Sequence, residues 1–216
     1  MLKSAGVNWW RFSPVQVFEK YAVHTFDRRH GTDTSTFAEL KTLGIASDNK
    51  RHGERYQPSP VYSLRRLLRR LDIRHSEFSF VDFGSGKGRT LLIASELPFK
   101  QVIGVEFAEE LHLQAERNIA RYCPRAADNV TAVHIDATEF KLPEGDLVLY
   151  FFNPFNQLVL SQVLDNLTAS LQTQPRRVIL IYLYLPCASW LNKLSYFQLR
   201  EQWRNYLVLE FAPTFE

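Results

Sequence analysis

The stretch FVDFGSGKGRT, residues 80–90, runs from an apolar segment into Asp82 and then places glycines at positions 84, 86 and 88. Glycine permits left-handed backbone turns and lets another group approach the backbone closely. In α/β sheets, ligands bind at the carboxyl ends of the strands, where such a turn would lie. The stretch therefore predicts a ligand site, and its glycine spacing limits the ligand.

This spacing can be compared with two common nucleotide motifs. A dinucleotide fingerprint counted from Gly84 requires a third glycine where Arg89 stands, which disfavours NAD. A phosphate loop that ends in Gly-Lys-Ser/Thr requires glycine in place of Val81 and a hydroxyl in place of Gly88, so that motif is excluded. What remains is a strand-end acid and Gly-x-Gly-x-Gly, where Asp82 can accept hydrogen bonds from a cationic or amino group.

From residue 78 onward, short apolar segments alternate with amphipathic segments of helix length. This alternation predicts a doubly wound α/β fold with a mostly parallel sheet covered on both faces by helices. The tail YFQLREQWRNYLVLEF (196–211) adds two strands as an antiparallel hairpin at the sheet edge, which makes seven in all. We predict the other strands near 78–83, 101–106, 130–135, 146–152 and 177–185, and helices near 88–97, 108–122 and 156–171.

Two further helix starts precede this pattern. Ser13-Pro14 opens a helix that we expect to continue to about Gly31, and a polar segment follows to residue 60. Ser59-Pro60 repeats the start signal, and four leucines of the next helix share one face opposite four arginines. We therefore divide the chain into an N-terminal helical extension, 1–55, which could cover the active site, and a catalytic domain, 56–216.

Composition restricts the class of protein. The chain has 216 residues, of which 45% are hydrophobic and 23% charged, as in ordinary globular proteins. Cys123 and Cys187 have no CxxC or histidine partner nearby, so neither a disulfide framework nor a metal site is expected. Because no apolar run reaches the length of a membrane span and no signal peptide opens the chain, we expect a cytoplasmic protein with no membrane partner. The sequence does not predict an oligomeric state.

The net charge of +3 is unevenly distributed. Residues 50–75 contain eight Lys/Arg and two acids. This surplus indicates either a solvated helix face or a surface for an acidic partner. We do not favour nucleic acid, because no separate recognition domain accompanies the predicted sheet.

Acids also stand at the ends of the second and third predicted strands. Glu106, followed by Phe107, can accept hydrogen bonds from the ribose of NAD or of any nucleoside, or can cap the next helix. Asp136, followed by Ala137, can receive an adenine amino group or serve as a turn residue.

With these acids and the glycine turn, residues 56–212 resemble the class I S-adenosylmethionine-dependent methyltransferases. The resemblance implies that the glycine turn lines the methionine part of the cofactor, that Glu106 binds the ribose hydroxyls, and that Asp136 lies at the adenine. The cofactor would be S-adenosylmethionine, and no metal is implied. The cofactor-binding residues so implied are Tyr56, Asp82, Gly84, Ser85, Gly86, Gly88, Glu106, Phe107, Asp136 and Ala137.

The fourth predicted strand ends in Asn153-Pro154-Phe155. This could be a plain turn, but an asparagine carbonyl can also accept the protons of an amine and aim its lone pair, beside an aromatic wall. The tip resembles the Asn/Asp-Pro-Pro-Tyr/Phe motif of amino-group methyltransferases, although it has one proline where adenine-N6 enzymes favour two. It is also similar to the Asn-containing aromatic motif of the non-SET histone-lysine methyltransferases, and YQPSP (56–60) to the Tyr-x-Pro-Thr-Pro segment of related protein-lysine enzymes.

The resemblance implies methyl transfer to nitrogen, with a protein lysine or a small amine as acceptor and with Asn153, Pro154 and Phe155 as catalytic residues. A nucleic-acid amino group is the alternative acceptor. Two other classes stay open, namely an NAD-dependent oxidoreductase and a cofactor-binding module without catalysis. The latter would not need a competent Asn153.

Overall fold

The computed structural model describes residues 14–36, 57–122, 129–152, 154–183, 193–203 and 206–213. The helices are α1 (Pro14–His30), α2 (Val61–Arg70), α3 (Arg89–Ala94), α4 (Glu109–Tyr122) and α5 (Gln157–Thr173), with a short 3₁₀ helix at His75–Glu77. The strands are β1 (Phe78–Phe83), β2 (Gln101–Glu106), β3 (Val130–His134), β4 (Asp146–Phe152), β5 (Val178–Leu183), β6 (Gln198–Trp203) and β7 (Tyr206–Phe211).

The seven strands form one sheet in the order β3-β2-β1-β4-β5-β7-β6. The first five pair in parallel, whereas β7 is antiparallel to both β5 and β6. The chain moves outward from β1 to β3 and then returns to place β4 on the other side of β1. Ligands of such sheets bind where the strand order reverses, so the ends of β1 and β4 position the site.

Alternation of side chains along the buried strands supplies a core on each face of the sheet. Phe80 and Tyr150 belong to a cluster with residues of α1 to α4, and Val81 and Phe151 belong to a second cluster with α5. Strand β1 is buried at all six residues, as expected for the centre of a parallel sheet.

The sheet and the helices on both of its faces confirm the predicted fold class and the edge hairpin. Strands β1, β2 and β4 have the predicted bounds, whereas β3 ends one residue early and the described part of β5 begins one residue late. Helix α3 is shorter than predicted, because the chain turns after Ala94 toward β2. Of the described residues, none belongs to a helix long and apolar enough to cross a membrane.

The start of α2 differs from the prediction. The helix begins at Val61 rather than Pro60, and Ser59 does not cap it. Glu19 of α1 does so instead: one carboxylate oxygen accepts hydrogen bonds from the amides of Val61 and Tyr62, and the other accepts from Ser63. A carboxylate at a helix N-terminus satisfies unpaired amides and complements the helix dipole, so α1 is fixed to α2 at this point.

Candidate functional site

The glycine loop, residues 84–88, joins β1 to α3. Its first two amides donate to the Val105 carbonyl oxygen at 2.9 and 3.0 Å, and the Gly88 amide donates to the Ser85 carbonyl oxygen at 2.9 Å. The Gly86 amide donates to the Glu106 carboxylate at 2.8 Å. A phosphate loop directs its amides at the ligand, whereas these four amides donate to protein. The hydrogen bonds agree with the exclusion of a phosphate motif from the sequence.

The three glycines of this loop all have positive φ, at 80°, 53° and 81°. Protein atoms face two of them. A β-carbon on Gly84 would stand 2.5 Å from Cβ of Pro154, and one on Gly88 would stand 3.1 Å from Cβ of Ala115 in α4. These two glycines are therefore required for packing as well as for the turn, a reason that differs from the ligand contact expected from the sequence.

Glu106 ends β2 and is almost fully buried. Its carboxylate accepts hydrogen bonds from the amides of Gly86 (2.8 Å) and Ala108 (2.9 Å). Burial raises the pKa of Glu106, although these amide hydrogen bonds oppose the rise. A carboxylate can accept about four hydrogen bonds, so Glu106 keeps acceptor capacity while it holds the loop.

Asp82, at the end of β1, is 2% exposed. Burial raises the pKa of Asp82 to about 8, while a hydrogen bond with Thr90 lowers it and the charge of Glu106 adds to the rise. The hydroxyls of Thr90 and Ser59 are also hydrogen-bonded to each other, at 2.9 Å. Asp82 is therefore held below the loop, in contact with the first turn of α3.

The third acid, Asp136, forms a turn. Its carboxylate accepts hydrogen bonds from the amide (2.9 Å) and the hydroxyl (2.7 Å) of Thr138. Ala137 is buried in the second core cluster. The carbonyl oxygen of Phe107 is hydrogen-bonded to the ring nitrogen Nε2 of His134. These residues flank the ends of β2 and β3, and a turn role for Asp136 is present whether or not it also contacts a ligand.

At the end of β4, Pro154 packs against Gly84 and Phe155 is buried among residues of α5. Asn156 caps α5, since its side chain accepts hydrogen bonds from the amides of Leu158 and Val159. The tip of β4 is thus in direct contact with the glycine loop. Tyr56 and Asn153 lie outside the described residues, so their roles stay predictions.

A link between the N-terminal extension and the glycine loop was not predicted from the sequence. Asp33 forms an ion pair with Lys87 at 3.0 Å. The side-chain amide of Asn118, in α4, bonds both the backbone N–H and the carbonyl oxygen of Asp33 at 2.9 Å, and also donates to the Lys87 carbonyl oxygen at 2.9 Å. Three residues from distant parts of the chain therefore close one hydrogen-bonded ring beside the loop.

Arg89, the first residue of α3, forms a second link. Its guanidinium is 1% exposed and lies 3.8 Å from Asp27. It donates to the hydroxyls of Thr34 (2.7 Å) and Ser35 (2.6 Å), and Thr34 donates to Asp27 at 2.7 Å. Burial raises the pKa of Asp27, but hydrogen bonds from Ser35, Thr34 and Thr32 outweigh burial and lower it.

The sequence did contain a signal for these links. Two cations, Lys87 and Arg89, stand in a turn between a buried strand and a helix, and a buried cation requires a charged partner. The acids Asp27 and Asp33 lie in the polar end of the extension. The pairs Lys87–Asp33 and Arg89–Asp27 join residues more than 50 positions apart, so the sequence pattern could not predict them.

Comparison with known proteins gives structural matches alone, because neither a family model nor a curated protein sequence matches this chain. One similar structure is a predicted N6-adenine-specific DNA methylase from Listeria monocytogenes, with a TM-score of 0.57 and 11% identity over 72% of this chain and 52% of that chain. A SAM-dependent methyltransferase from Aquifex aeolicus has a TM-score of 0.52 and 13% identity, over 70% and 91% of the two chains.

A third similar structure is the ribosomal protein L11 methylase from Lactobacillus delbrueckii subsp. bulgaricus. It has a TM-score of 0.50 and 18% identity over 77% of this chain and 80% of that chain. At such identities the matches establish the fold alone, which this chain shares with these methylases and methyltransferases. Activity has to be argued from the site itself.

Proposed function

We propose that this protein transfers a methyl group from S-adenosylmethionine to a nitrogen atom, most simply that of a protein lysine or a small amine. The observation that carries the proposal is the arrangement of Glu106 and the glycine loop. Four amides of the loop donate to protein, which suits a ligand without phosphate, and a buried carboxylate stands at the adjoining strand end. The fold adds its own support, since methyltransferases share it.

The residues present fit such a cofactor. Glu106 keeps acceptor capacity for a ribose hydroxyl beyond its hydrogen bonds from the amides of Gly86, Ala108 and Phe107. Asp82 supplies an acid next to the loop, where the cationic amino group of the methionine part would favour its ionised form. S-adenosylmethionine supplies a methyl group on a positively charged sulfur, and the role of the chain is to bind and orient it.

The tip of β4 supports an acceptor next to this position. Contact between Pro154 and Gly84 brings the segment that follows Asn153 against the glycine loop. We propose that the Asn153 carbonyl accepts the protons of the amine, so that the nitrogen lone pair points at the methyl group. Phe155 is buried, so it supports the segment from within the core rather than forming an exposed wall.

A nucleic-acid acceptor is the second candidate, and a surface of α1 and α2 favours it. The acids of this region are engaged within the protein: Glu19 caps α2, Asp27 lies near Arg89, and Asp33 pairs with Lys87. Exposed aromatic and basic side chains together suit stacked bases and phosphates. The exposed residues of this surface are Phe18, Lys20, Tyr21, Arg28, Arg29, Tyr62, Arg69 and Arg70.

Nucleic acid was disfavoured because the sequence shows no separate recognition domain. A surface such as this one could bind nucleic acid without a separate domain, so that argument no longer applies. The fold does not choose between the two acceptors. It is shared by a protein named for a ribosomal protein and by one named for DNA. The experiment that decides is methyl transfer from isotope-labelled S-adenosylmethionine onto cell lysate separated into protein, RNA, DNA and small-molecule fractions.

We expect label in the protein or small-molecule fraction and, after hydrolysis, on nitrogen. Label confined to RNA or DNA would support the second candidate. Methylated oxygen, sulfur or carbon would contradict the nitrogen assignment and leave methyl transfer intact. A protein that binds neither S-adenosylmethionine nor its demethylated product in calorimetry would contradict the proposal as a whole.

The variant Asn153→Ala tests the acceptor site. We expect turnover to fall by about 100-fold or more with cofactor affinity unchanged within about threefold, because orientation of the amine is lost while binding is kept. Asn153→Asp should keep part of the activity, since a carboxylate also accepts the protons of an amine. Full activity of the alanine variant would remove Asn153 from the mechanism.

A further inference from the structure

Lys87 poses an electrostatic problem for the proposed cofactor. Its backbone lies between two glycines of the loop, and its side chain is 9% exposed. S-adenosylmethionine carries a positive sulfur and a positive amino group, and like charges repel strongly where water is excluded. An unpaired lysine in this loop would oppose binding of a cationic ligand.

Asp33 supplies the opposite charge. The Asp33 carboxylate lies 3.0 Å from Lys87 Nζ and accepts a second hydrogen bond from Thr36 at 2.7 Å. Burial raises the pKa of Asp33, but the hydrogen bonds from Thr36 and Lys87 outweigh burial and lower it, so the carboxylate is ionised at neutral pH. The ion pair therefore carries no net charge.

Asn118 fixes the position of this pair. It is 0% exposed, and one side-chain amide holds both backbone groups of Asp33 together with the Lys87 carbonyl oxygen. A buried amide with several hydrogen bonds has one orientation, so the backbone of Asp33 is held beside the backbone of Lys87. The counter-charge therefore stands on backbone that is tied to the loop, and the Asp33 side chain itself is 42% exposed.

We infer that Asp33 is a positioning residue of the cofactor site, which neutralises Lys87 and thereby adapts the glycine loop to a ligand with a positively charged sulfur. The inference rests on the proposed function. It assigns the N-terminal extension an electrostatic contribution to cofactor binding, in addition to its packing. It also predicts an effect on the charged cofactor that is absent for its neutral counterpart.

S-adenosylhomocysteine provides that comparison, because it has a neutral thioether in place of the sulfonium and is otherwise the same ligand without its methyl group. Calorimetry should give Kd for both ligands, in the wild type and in each variant. In Asp33→Asn we expect the ratio of Kd for S-adenosylmethionine to Kd for S-adenosylhomocysteine to rise about three- to tenfold, since Lys87 loses its counter-charge.

The opposite change should have the opposite sign. Lys87→Met leaves Asp33 unpaired, so the same ratio should fall, and the double variant Asp33→Asn/Lys87→Met should return to within about twofold of the wild type. A packing defect would weaken both ligands equally in every variant. Lys87→Met alone keeps the inference testable if Asp33→Asn does not fold.

Asp165→Asn is the matched control. Asp165 lies on α5 and forms an exposed ion pair with Lys193 at 2.7 Å. Its replacement changes the net charge by the same amount as Asp33→Asn and does not touch the loop. A ratio unchanged in both single variants would overturn the inference, as would an equal change in the control. If the wild type binds both ligands and the ratio does not respond, the proposed function survives and only the role of Asp33 fails.

Discussion

The glycine loop has acids on one side and cations on the other, and the two sides obtain their partners differently. Asp82 and Glu106 come from β1 and β2, and backbone amides and a threonine hold them in place. Lys87 and Arg89 are directed toward the extension, where Asp33 and Asp27 neutralise them. The catalytic sheet therefore supplies the acids below the loop, and the extension supplies the counter-charges beside it.

The extension therefore contributes charged side chains to the structure around the glycine loop and does more than pack against the sheet. A cation at a helix N-terminus is opposed by the helix dipole, and Arg89 is in addition nearly inaccessible to water. Without residues 27–36, Lys87 and Arg89 would lose Asp33 and Asp27 as counter-charges. The acidic side depends on hydrogen bonds between adjoining strand ends and the loop, whereas the basic side depends on contacts with the N-terminal extension.

Loss of Arg89 should have the largest effect on this arrangement. We expect Arg89→Met to lower the free energy of unfolding by about 3 kcal/mol, because Asp27 loses its counter-charge and the hydroxyls of Thr34 and Ser35 lose the Arg89 donor. Chemical denaturation followed by circular dichroism measures the change.

Arg74→Met provides the comparison for Arg89. Arg74 pairs with Glu77, but its side chain is 77% exposed, and an exposed pair contributes about 0–1 kcal/mol. Equal losses in the two variants would show that the buried side of the loop has no special dependence on the extension.

How far these features follow from sequence differs between the two sides of the loop. The bounds of β1, β2 and β4 were predicted because each is an apolar run between turn residues, and the acids at the ends of β1 and β2 were identified by the same runs. The partners of Lys87 and Arg89 were not predicted, because an ion pair over more than 50 residues depends on how the extension packs. The local sequence pattern predicts the helices and strands, whereas the contacts between distant helices, strands and loops depend on the tertiary fold.

The same limit explains one local error and one contact that was missed. Ser59 was expected to cap α2, but Glu19 of another helix caps it, and the Ser59 hydroxyl bonds Thr90 instead. Protein atoms of Pro154 and Ala115 face Gly84 and Gly88, a packing role that the sequence did not predict, and the ligand contact expected of these glycines stays a prediction. In both cases the residue type was informative, and the partner was a distant segment.

Glu106→Ala tests the acidic side by ligand affinity. We expect binding of S-adenosylmethionine to weaken by about 1–3 kcal/mol, because ribose hydroxyls lose a charged acceptor. Part of the loss would come from the Gly86 amide, which also loses its partner.

The ligand 5'-methylthioadenosine, which retains the ribose and lacks the amino-acid part, is a suitable control for Glu106→Ala. It should lose affinity to a similar extent. An unchanged Kd for both ligands would show that Glu106 supports the loop alone.

The contribution of Asp82 to stability depends on pH. The pKa of Asp82 is about 8 in the folded protein and 3.8 in the absence of burial, so between these values the folded state retains a proton that the unfolded state releases. The folded state then binds more protons, and stability falls as pH rises, by at most about 1.4 kcal/mol per pH unit from this group. The contribution is fully present below pH 4 and lost as pH rises through 8.

Asp82→Asn should flatten this part of the pH dependence, since an amide does not titrate, and the same group should couple proton release to cofactor binding. A cationic amino group next to the loop favours the ionised form of Asp82, so binding of S-adenosylmethionine at pH 7 should release a fraction of one proton. Calorimetry in two buffers of different ionisation enthalpy measures that fraction, which should vanish in Asp82→Asn. Equal proton release by wild type and variant would show that Asp82 does not sense the cofactor and acts only as a buried partner of Thr90.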